Sequence, residues 1–367
     1  MLKNITDSLS PKAVLIELGG SHSEVLYPQL SFLKHGGYHT TLICDPKVYD
    51  LVKNYDQVDV LLKSEIPQSG WLRQMNALWK IRNYIVQEKV KLVIFNTANG
   101  PLIRTLCLMP YPPDIIFAGI LHSLHKLKGS ITQSLISYRV RKYFVLAAYL
   151  KRLAYTYHRP KLSFEFFYPM FFMPPKNEHP VTKPAGEIWI AIAGGLEYGR
   201  RDYKSLAYAL HKLKKKIPLK FLLLGNSSYP GGDGNDFRAL ISNLGVEEYF
   251  VFWNEYVSND VFHAYLKKSD AIMPLVHPVP HIKSVYLNYQ ISGSWNLAYA
   301  YQLPLLMADA FAGLEDFKDY GVFYQPENLT EAIEKLPNIL PSHRKLYQGD
   351  AWQFAFQANQ YLRFLKS

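Results

Sequence analysis

The chain has 367 residues, 49% of them hydrophobic, with a formal net charge of +11 and a sequence pI of about 9.3. That length exceeds what one core usually holds and favours two domains, and the hydrophobic share excludes a globally disordered chain. The basic balance admits nucleic acid, an anionic membrane surface or phosphorylated small molecules as partners, and does not choose among them. The two cysteines, Cys44 and Cys107, sit in or after apolar runs and read as buried thiols, with no disulfide framework or metal-binding cluster, so a reducing compartment is expected. The start "MLKNITDSLSPK" lacks the apolar core of a signal peptide, and no apolar run is long enough to span a bilayer. The expected location is the cytoplasm.

Along the chain, short apolar runs alternate with amphipathic segments. "AVLIEL" (13–18) reads as a strand and is followed by Gly19-Gly20 and a helix, "SEVLYPQLSFLKHG". "HTTLIC" (39–44) is the next strand, then a helix over 70–89 and strands "KLVIFNT" (91–97) and "DIIFAGILHS" (114–123). "KYFVLAAYLKRLAY" (142–155) reads as a strand leading into a helix. This alternation predicts a parallel sheet covered on both faces. The proline-rich, charged stretch 173–187 breaks it and is the expected linker. The pattern then restarts with "IWIAIAGG", "LKFLLLG", "YFVFWNE", "AIMPL" and "PLLMAD" as strands, and ends in one or two helices. The expected domains are 1–174, a linker 175–187, 188–345, and a C-terminal helix within 346–367 that returns to the first domain. In two doubly wound α/β domains, ligands are expected at the carboxyl ends of the strands, facing an interdomain cleft.

The loops after strands carry the candidate chemistry. In "AGGLEYGRRDYKSLAYAL" (193–210), Gly194-Gly195 end a strand and Arg200, Arg201 and Lys204 precede or open a helix. Adjacent guanidiniums suit a diphosphate, and positive charge at a helix N-terminus is unfavourable without an anion. Ser292-Gly293-Ser294 form a tight turn into a second helix, whose free N–H groups make an anion site; an ordinary serine cap is the competing reading. The segment "VHPVPHIKSVYLNYQ" reads as a loop that brings Lys283, Tyr286 and Tyr289 towards that turn, while His277 and His281 are read as loop histidines without a role. Gly20, Ser21 and His22 lie after the first strand, without the spacing of a dinucleotide fingerprint. His122 follows another strand and can hydrogen-bond a sugar hydroxyl or take a proton. The cationic, aromatic stretch 139–161 (Arg139, Arg141, Lys142, Lys151, Arg152, Arg159, Lys161) is either a solvated face or a surface for anionic lipid. "GGDGND" (231–236) reads as a loop and not as a metal site, and no nucleic-acid module is present.

Residues 188–306 resemble the nucleotide-sugar domain of GT-B glycosyltransferases, close to the large group called family 4. The resemblance rests on "GGLEYGRRDYKSL", "LKFLLLG", "FVFWNEYVSNDVFHAYLKKSDAIMPL", the Ser-Gly turn and "AYAYQLPLL", with Asp270, Pro274, Ala298, Ala300 and Pro304 in the family's places. Order of elements extends it over nearly the whole chain. The family's pair of glutamates is absent: their places fall at Tyr289 and Leu297, and the family's arginine after the first strand of this domain falls at Gly195.

The resemblance implies a glycosyltransferase that moves a sugar from a nucleotide-diphosphate sugar to a glycan or lipid-linked acceptor, in polysaccharide or glycoconjugate assembly, without a metal or other cofactor. The donor set expected from it is Gly194, Gly195, Arg200, Arg201, Lys204, Asn254, Lys283, Tyr289, Ser292, Gly293 and Ser294. His122 and His22 are the candidate catalytic residues, with Gly20, Ser21 and His22 on the acceptor side. Two alternatives stand beside this: a nucleotide-sugar epimerase on the same fold, and a non-catalytic binding or assembly subunit, which the missing glutamates would explain.

Overall fold

The computed structural model describes residues 10–157, 159–343, 347 and 349–367. The chain divides into two compact units, Met1–Met173 with Asp350–Ser367, and Pro174–Gly349.

The first unit holds seven strands: β1 (Lys12–Glu17), β2 (His39–Cys44), β3 (Val60–Lys63), β4 (Leu92–Phe95), β5 (Ile116–Ile120), β6 (Lys142–Val145) and β7 (Ser163–Phe166). Their order is β3-β2-β1-β4-β5-β6-β7, and every neighbouring pair is parallel. Parallel strands need crossovers, supplied here by α1 (Leu26–His35), α2 (Pro46–Val52), α3 (Trp71–Gln87), α4 (Gly100–Leu108), α5 (Ile131–Arg139) and α6 (Ala148–Tyr155). Because helices cover a parallel sheet, its central strands are apolar on both faces. All of β4 is buried, as is β1 after Lys12. Local signals start the helices: the Asp45 carboxylate accepts from the Lys47 N–H at 2.8 Å beside Pro46, and Ser130 Oγ accepts from the Gln133 N–H at 3.2 Å.

The second unit repeats the plan with six strands: β8 (Ile188–Ala193), β9 (Leu219–Asn226), β10 (Phe250–Trp253), β11 (Ala271–Ile272), β12 (Leu305–Ala308) and β13 (Gly321–Tyr324). The order is β10-β9-β8-β11-β12-β13, again all parallel. Its helices are α7 (Tyr203–His211), α8 (Gly234–Leu244), α9 (Asn259–Lys268), α10 (Pro280–Asn288), α11 (Gly293–Tyr301) and α12 (Leu329–Ile339). In both sheets the strand order reverses once, between β1 and β4 and between β8 and β11. Loops leaving the carboxyl ends of those strands diverge there and open a crevice.

Two local expectations change. The stretch read as a loop after "AIMPL" contains α10, because Pro280 occupies a first-turn position where its missing N–H is no loss. "AIMPL" itself pairs only over Ala271–Ile272. Pro274 has no N–H for a ladder, and Leu275 turns the chain with φ 52°.

The chain ends in α13 (Phe354–Lys366), which packs on the first unit. Tyr361 stacks on Phe144 with ring centroids 4.2 Å apart, and meets Phe32 and Phe167 as well. Its hydroxyl donates to Gln29 Oε1 at 3.0 Å, and Gln29 Nε2 donates to Asn96 Oδ1 at 2.7 Å, all within the core. Tyr361→Phe leaves the Gln29 carbonyl buried without this donor. The expected loss is about 1–3 kcal/mol of stability, read as a lower urea midpoint; an unchanged midpoint would contradict the seat proposed for α13.

Candidate functional site

In the second unit, the loop after β8 carries Gly194, Gly195, Arg200 and Arg201. It is stitched to the segment after β11 by Asp202 N–H to Leu275 O (3.1 Å) and His277 N–H to Arg200 O (3.0 Å), with an antiparallel bridge between Arg201 and Val276. The basic loop is thereby pinned across the point where the strand order reverses. Gly194 has φ 102°, and a Cβ there would meet the Arg201 guanidinium at 3.0 Å. A Cβ on Gly225 would lie 2.4 Å from the Gly194 carbonyl, so two bare backbones form this floor. Above it is a cavity of about 410 Å³ lined by Gly194, Gly195, Asn226, Tyr229, Tyr256 and Phe262, among others.

Arg200 reaches Tyr286 Oη at 3.4 Å and Glu197 at 3.5 Å, while Arg201 reaches Tyr203 Oη at 3.3 Å. Tyr286 on α10 stands edge-on to Trp295 in the first turn of α11, at 6.2 Å. Arg200 and the α11 N-terminus are therefore linked through one tyrosine. The Ser292 side chain makes no cap hydrogen bond, which sets aside the ordinary serine cap. Ser294 is 3% exposed, and its hydroxyl has no hydrogen-bond partner among the described residues. Gly293 opens the helix with free space around it.

Other expected donor residues are already engaged. Lys204 Nζ sits over the Tyr198 ring at 4.6 Å. Asn254 Oδ1 accepts from Arg238 Nη2 at 2.5 Å, and Arg238 lies over Phe252 at 4.0 Å. Lys283 is a half-buried residue of α10, and Tyr289 closes that helix. The unfavourable charge expected at the α7 N-terminus is met internally by Asp202, which caps Ser205 N–H at 3.2 Å. "GGDGND" is not all loop: Asp233 accepts from Tyr198 N–H at 2.6 Å, and α8 begins at Gly234. His277 Nδ1 accepts from Val279 N–H at 3.3 Å, a local turn contact.

In the first unit, the crevice beside β1 and β4 holds a polar cluster. His22 and His122 stack with centroids 3.7 Å apart and planes 14° from parallel. His22 takes a left-handed backbone, φ 63°, just after the Gly19–Ser21 turn. Asn96, the first residue past β4, is the hub. Its side chain donates to Glu17 Oε2 (2.7 Å) and to the His22 carbonyl (3.0 Å), and its own carbonyl meets His122 Nε2 at 2.7 Å. A carbonyl only accepts, so Nε2 carries the proton and Nδ1 presents a lone pair. Burial, helped by the adjacent His22, pushes the His122 imidazole well below its ordinary pKa, so it is neutral near pH 7. His22 Nδ1 lies 3.4 Å from Glu24 Oε1. Although desolvation opposes it, that hydrogen bond holds the Glu24 carboxyl below its usual range. Glu17 is 1% exposed and its pKa is raised by desolvation, despite bonds from Thr97 Oγ1 (2.6 Å) and Gly19 N–H (2.7 Å). Gly20 packs on the Lys47 side chain, and Ser21 is exposed.

Of the expected residues, the fold gathers His22 with His122 in one unit, and Gly194, Gly195, Arg200 and Arg201 in the other. Lys204 meets that loop at the Tyr198 ring, and Asn254 is held by Arg238. Sequence reasoning missed Glu17, Asn96, Tyr229 and Arg238. An acid inside the apolar run "AVLIEL", and "NT" directly after "LVIF", were the available signals. The cationic stretch 139–161 is not one open face either. Arg139 donates to the carbonyls of Cys107 (2.6 Å) and Met109 (3.0 Å), Lys142 to that of Phe364 (2.8 Å), and Lys151 pairs with Glu165 at 2.6 Å. Cys44 and Cys107 are buried and free. Among the described residues, no helix is long and apolar enough to cross a membrane.

No family model and no curated protein sequence matches the chain. Solved structures do. A glycosyltransferase from Rickettsia africae superposes with a TM-score of 0.65 at 14% identity, covering 98% of each chain. The UDP-GlcNAc 2-epimerase of Neisseria meningitidis, bound to UDP-GlcNAc, gives 0.61 at 11% identity, covering 97% of this chain and 99% of that one. Anabaena HepE, in complex with UDP-glucose, gives 0.59 at 14% identity, covering 97% and 94%. Two doubly wound parallel units, ordered alike and matched over nearly their full length by glycosyltransferase and epimerase structures, make this chain a divergent protein of the GT-B fold.

Proposed function

We propose that the chain transfers a sugar from a nucleotide-diphosphate sugar to a hydroxyl of a glycan or lipid-linked acceptor. The observation that carries this reading is the basic loop pinned at the order reversal of the second sheet. There Arg201 lies against a glycine floor, Arg200 is linked through Tyr286 to the first turn of α11, and that helix start adds the Ser294 hydroxyl. Such donors, fixed in place, stabilise the negative charge that grows on a leaving diphosphate, and they do so without calling on a metal. The aromatic walls Tyr229, Tyr256 and Phe262 fit a nucleoside. In the reaction the bond from the anomeric carbon to the diphosphate oxygen breaks. The acceptor oxygen forms the new bond, and its proton passes to a base or to water.

The first unit supplies the acceptor-side groups in this reading. His122 is a weak base, because its proton-bound form is disfavoured; its role is to accept a hydrogen bond from a sugar hydroxyl through Nδ1. His22, with Nδ1 beside Glu24, presents Nε2 to the acceptor proton in this reading. The same His22–Glu24 pair favours a second reading, epimerisation of the nucleotide-sugar, which needs a base and no acceptor. The two separate cleanly in one assay: transfer releases nucleoside diphosphate only with acceptor present, whereas epimerisation yields an isomeric nucleotide-sugar without it. Neither product from a panel of sugars and acceptors would leave a binding protein without turnover.

Arg200→Ala combined with Arg201→Ala is expected to weaken nucleoside diphosphate binding by more than about tenfold, since each charge-assisted hydrogen bond is worth about 1.5–3 kcal/mol. Binding of the bare nucleoside should hardly change, and calorimetric titration of both ligands checks this. The pH dependence of stability follows from His122. Its folded pKa is depressed, so the unfolded chain binds the proton first as pH falls, and stability present above the unfolded value of about 6.5 is lost below it. Between about pH 7.5 and about pH 5.5 the wild type should lose about 1 kcal/mol more than His122→Gln, measured by urea unfolding at each pH.

A further inference from the structure

We infer that the first unit carries a docking surface for an anionic phospholipid bilayer, built on α5 and the loops beside it. One face of α5 packs inward through Gln133 and Ile136, and Gln133 Nε2 donates to Tyr143 Oη at 3.0 Å. The opposite face presents Ile131, Leu135 and Tyr138 to solvent, 79%, 37% and 74% exposed. Their spacing puts these three on one stripe of the helix. Large apolar side chains in a row on the solvent face of a helix mark an interaction site.

The segment that carries this ridge bears charge of one sign. Between Asp114 and Glu165 the sequence holds nine Lys or Arg and no Asp or Glu. Beside the ridge, and sharing Tyr138 with it, is a cavity of about 300 Å³. Lys126, Arg159 and Lys161 line it, with Ser134 and Ser137 and no carboxylate. Arg159 is fixed by donating to the Leu127 carbonyl at 2.9 Å. This surface differs from the one the sequence pattern indicated. Arg139, Lys142 and Lys151 are tied up inside the unit, and Lys126 takes their place beside Arg159 and Lys161.

An apolar ridge edged by cations matches the two layers of a membrane interface. The aliphatic side chains enter the acyl boundary, and the cations meet lipid phosphates. A nucleic acid would need several ring faces for stacking, and of the three ridge residues Tyr138 alone offers one. The inference is independent of the catalytic reading, since it uses none of the donor or histidine residues.

Co-sedimentation of the full chain with phosphatidylcholine vesicles, with and without phosphatidylglycerol, tests it. The wild type should pellet with the mixed vesicles at low salt and not with phosphatidylcholine alone. Lys126→Glu with Lys161→Glu should weaken pelleting by at least about tenfold, and Ile131→Ser with Leu135→Ser should do the same. All these positions are exposed, so the variants should keep the wild-type melting temperature and nucleotide binding. Failure of the wild type to pellet, wild-type pelleting by both variants, or release by millimolar inorganic phosphate at fixed ionic strength would overturn the inference. The last result would make the cavity a site for free phosphate.

Discussion

The constraint from which the rest follows is the single reversal of strand order in each parallel sheet. A parallel sheet must send every return across its faces, so the only backbone left to meet a ligand is in the loops at the strand ends. Where the order reverses, neighbouring loops leave in opposite directions and cannot cover each other. Both polar clusters of this chain lie at such points. Gly194, Arg200 and Arg201 follow β8 and are pinned to the turn after β11. His22 and Asn96 follow β1 and β4, and His122 follows β5 beside them.

The two clusters are held by different physics. The second unit uses backbone: glycines that let Arg201 and Gly225 approach closely, and a Leu275 at φ 52° in the turn after β11, to which the basic loop is bonded. The first unit uses a buried polar chain that runs Glu17, Asn96, Gln29, Tyr361. Each member is satisfied by the next, which offsets the cost of burying the amides and the hydroxyl, while desolvation still raises the Glu17 pKa. Because its far end is Tyr361 on α13, the last helix of the sequence supports the same asparagine that orients His122. Loss of α13 should therefore disturb the histidine pair as well as the aromatic core.

Fold class was legible because the signal was strong and repeated. "KAVLIE", "HTTLIC", "IWIAIA" and "LKFLLLG" are buried on both faces, and such runs separated by amphipathic helices admit few architectures. The edge strands β3, β7 and β13 were missed, since "VLLK", "SFEF" and "GVFY" are short and only partly buried. The site was half legible. Glycines and arginines after a strand announce themselves, whereas Asn96 gains its role only when β4 lies beside β1, 79 residues from Glu17. Lys204 and Asn254 looked like ligands because sequence cannot show that Tyr198 and Arg238 already hold them.

The central claim is that a nucleoside diphosphate binds the carboxyl end of the second sheet. The most direct test is the melting temperature of the purified chain with UDP, GDP, ADP and CMP, each beside its parent nucleoside. A ligand that binds only the folded state stabilises it, by about 2.7 kcal/mol at a hundred times its dissociation constant. The account predicts a clear rise with one nucleoside diphosphate and a much smaller one with its nucleoside, because the basic loop reads the phosphates. No rise with any of them at millimolar concentration would contradict it.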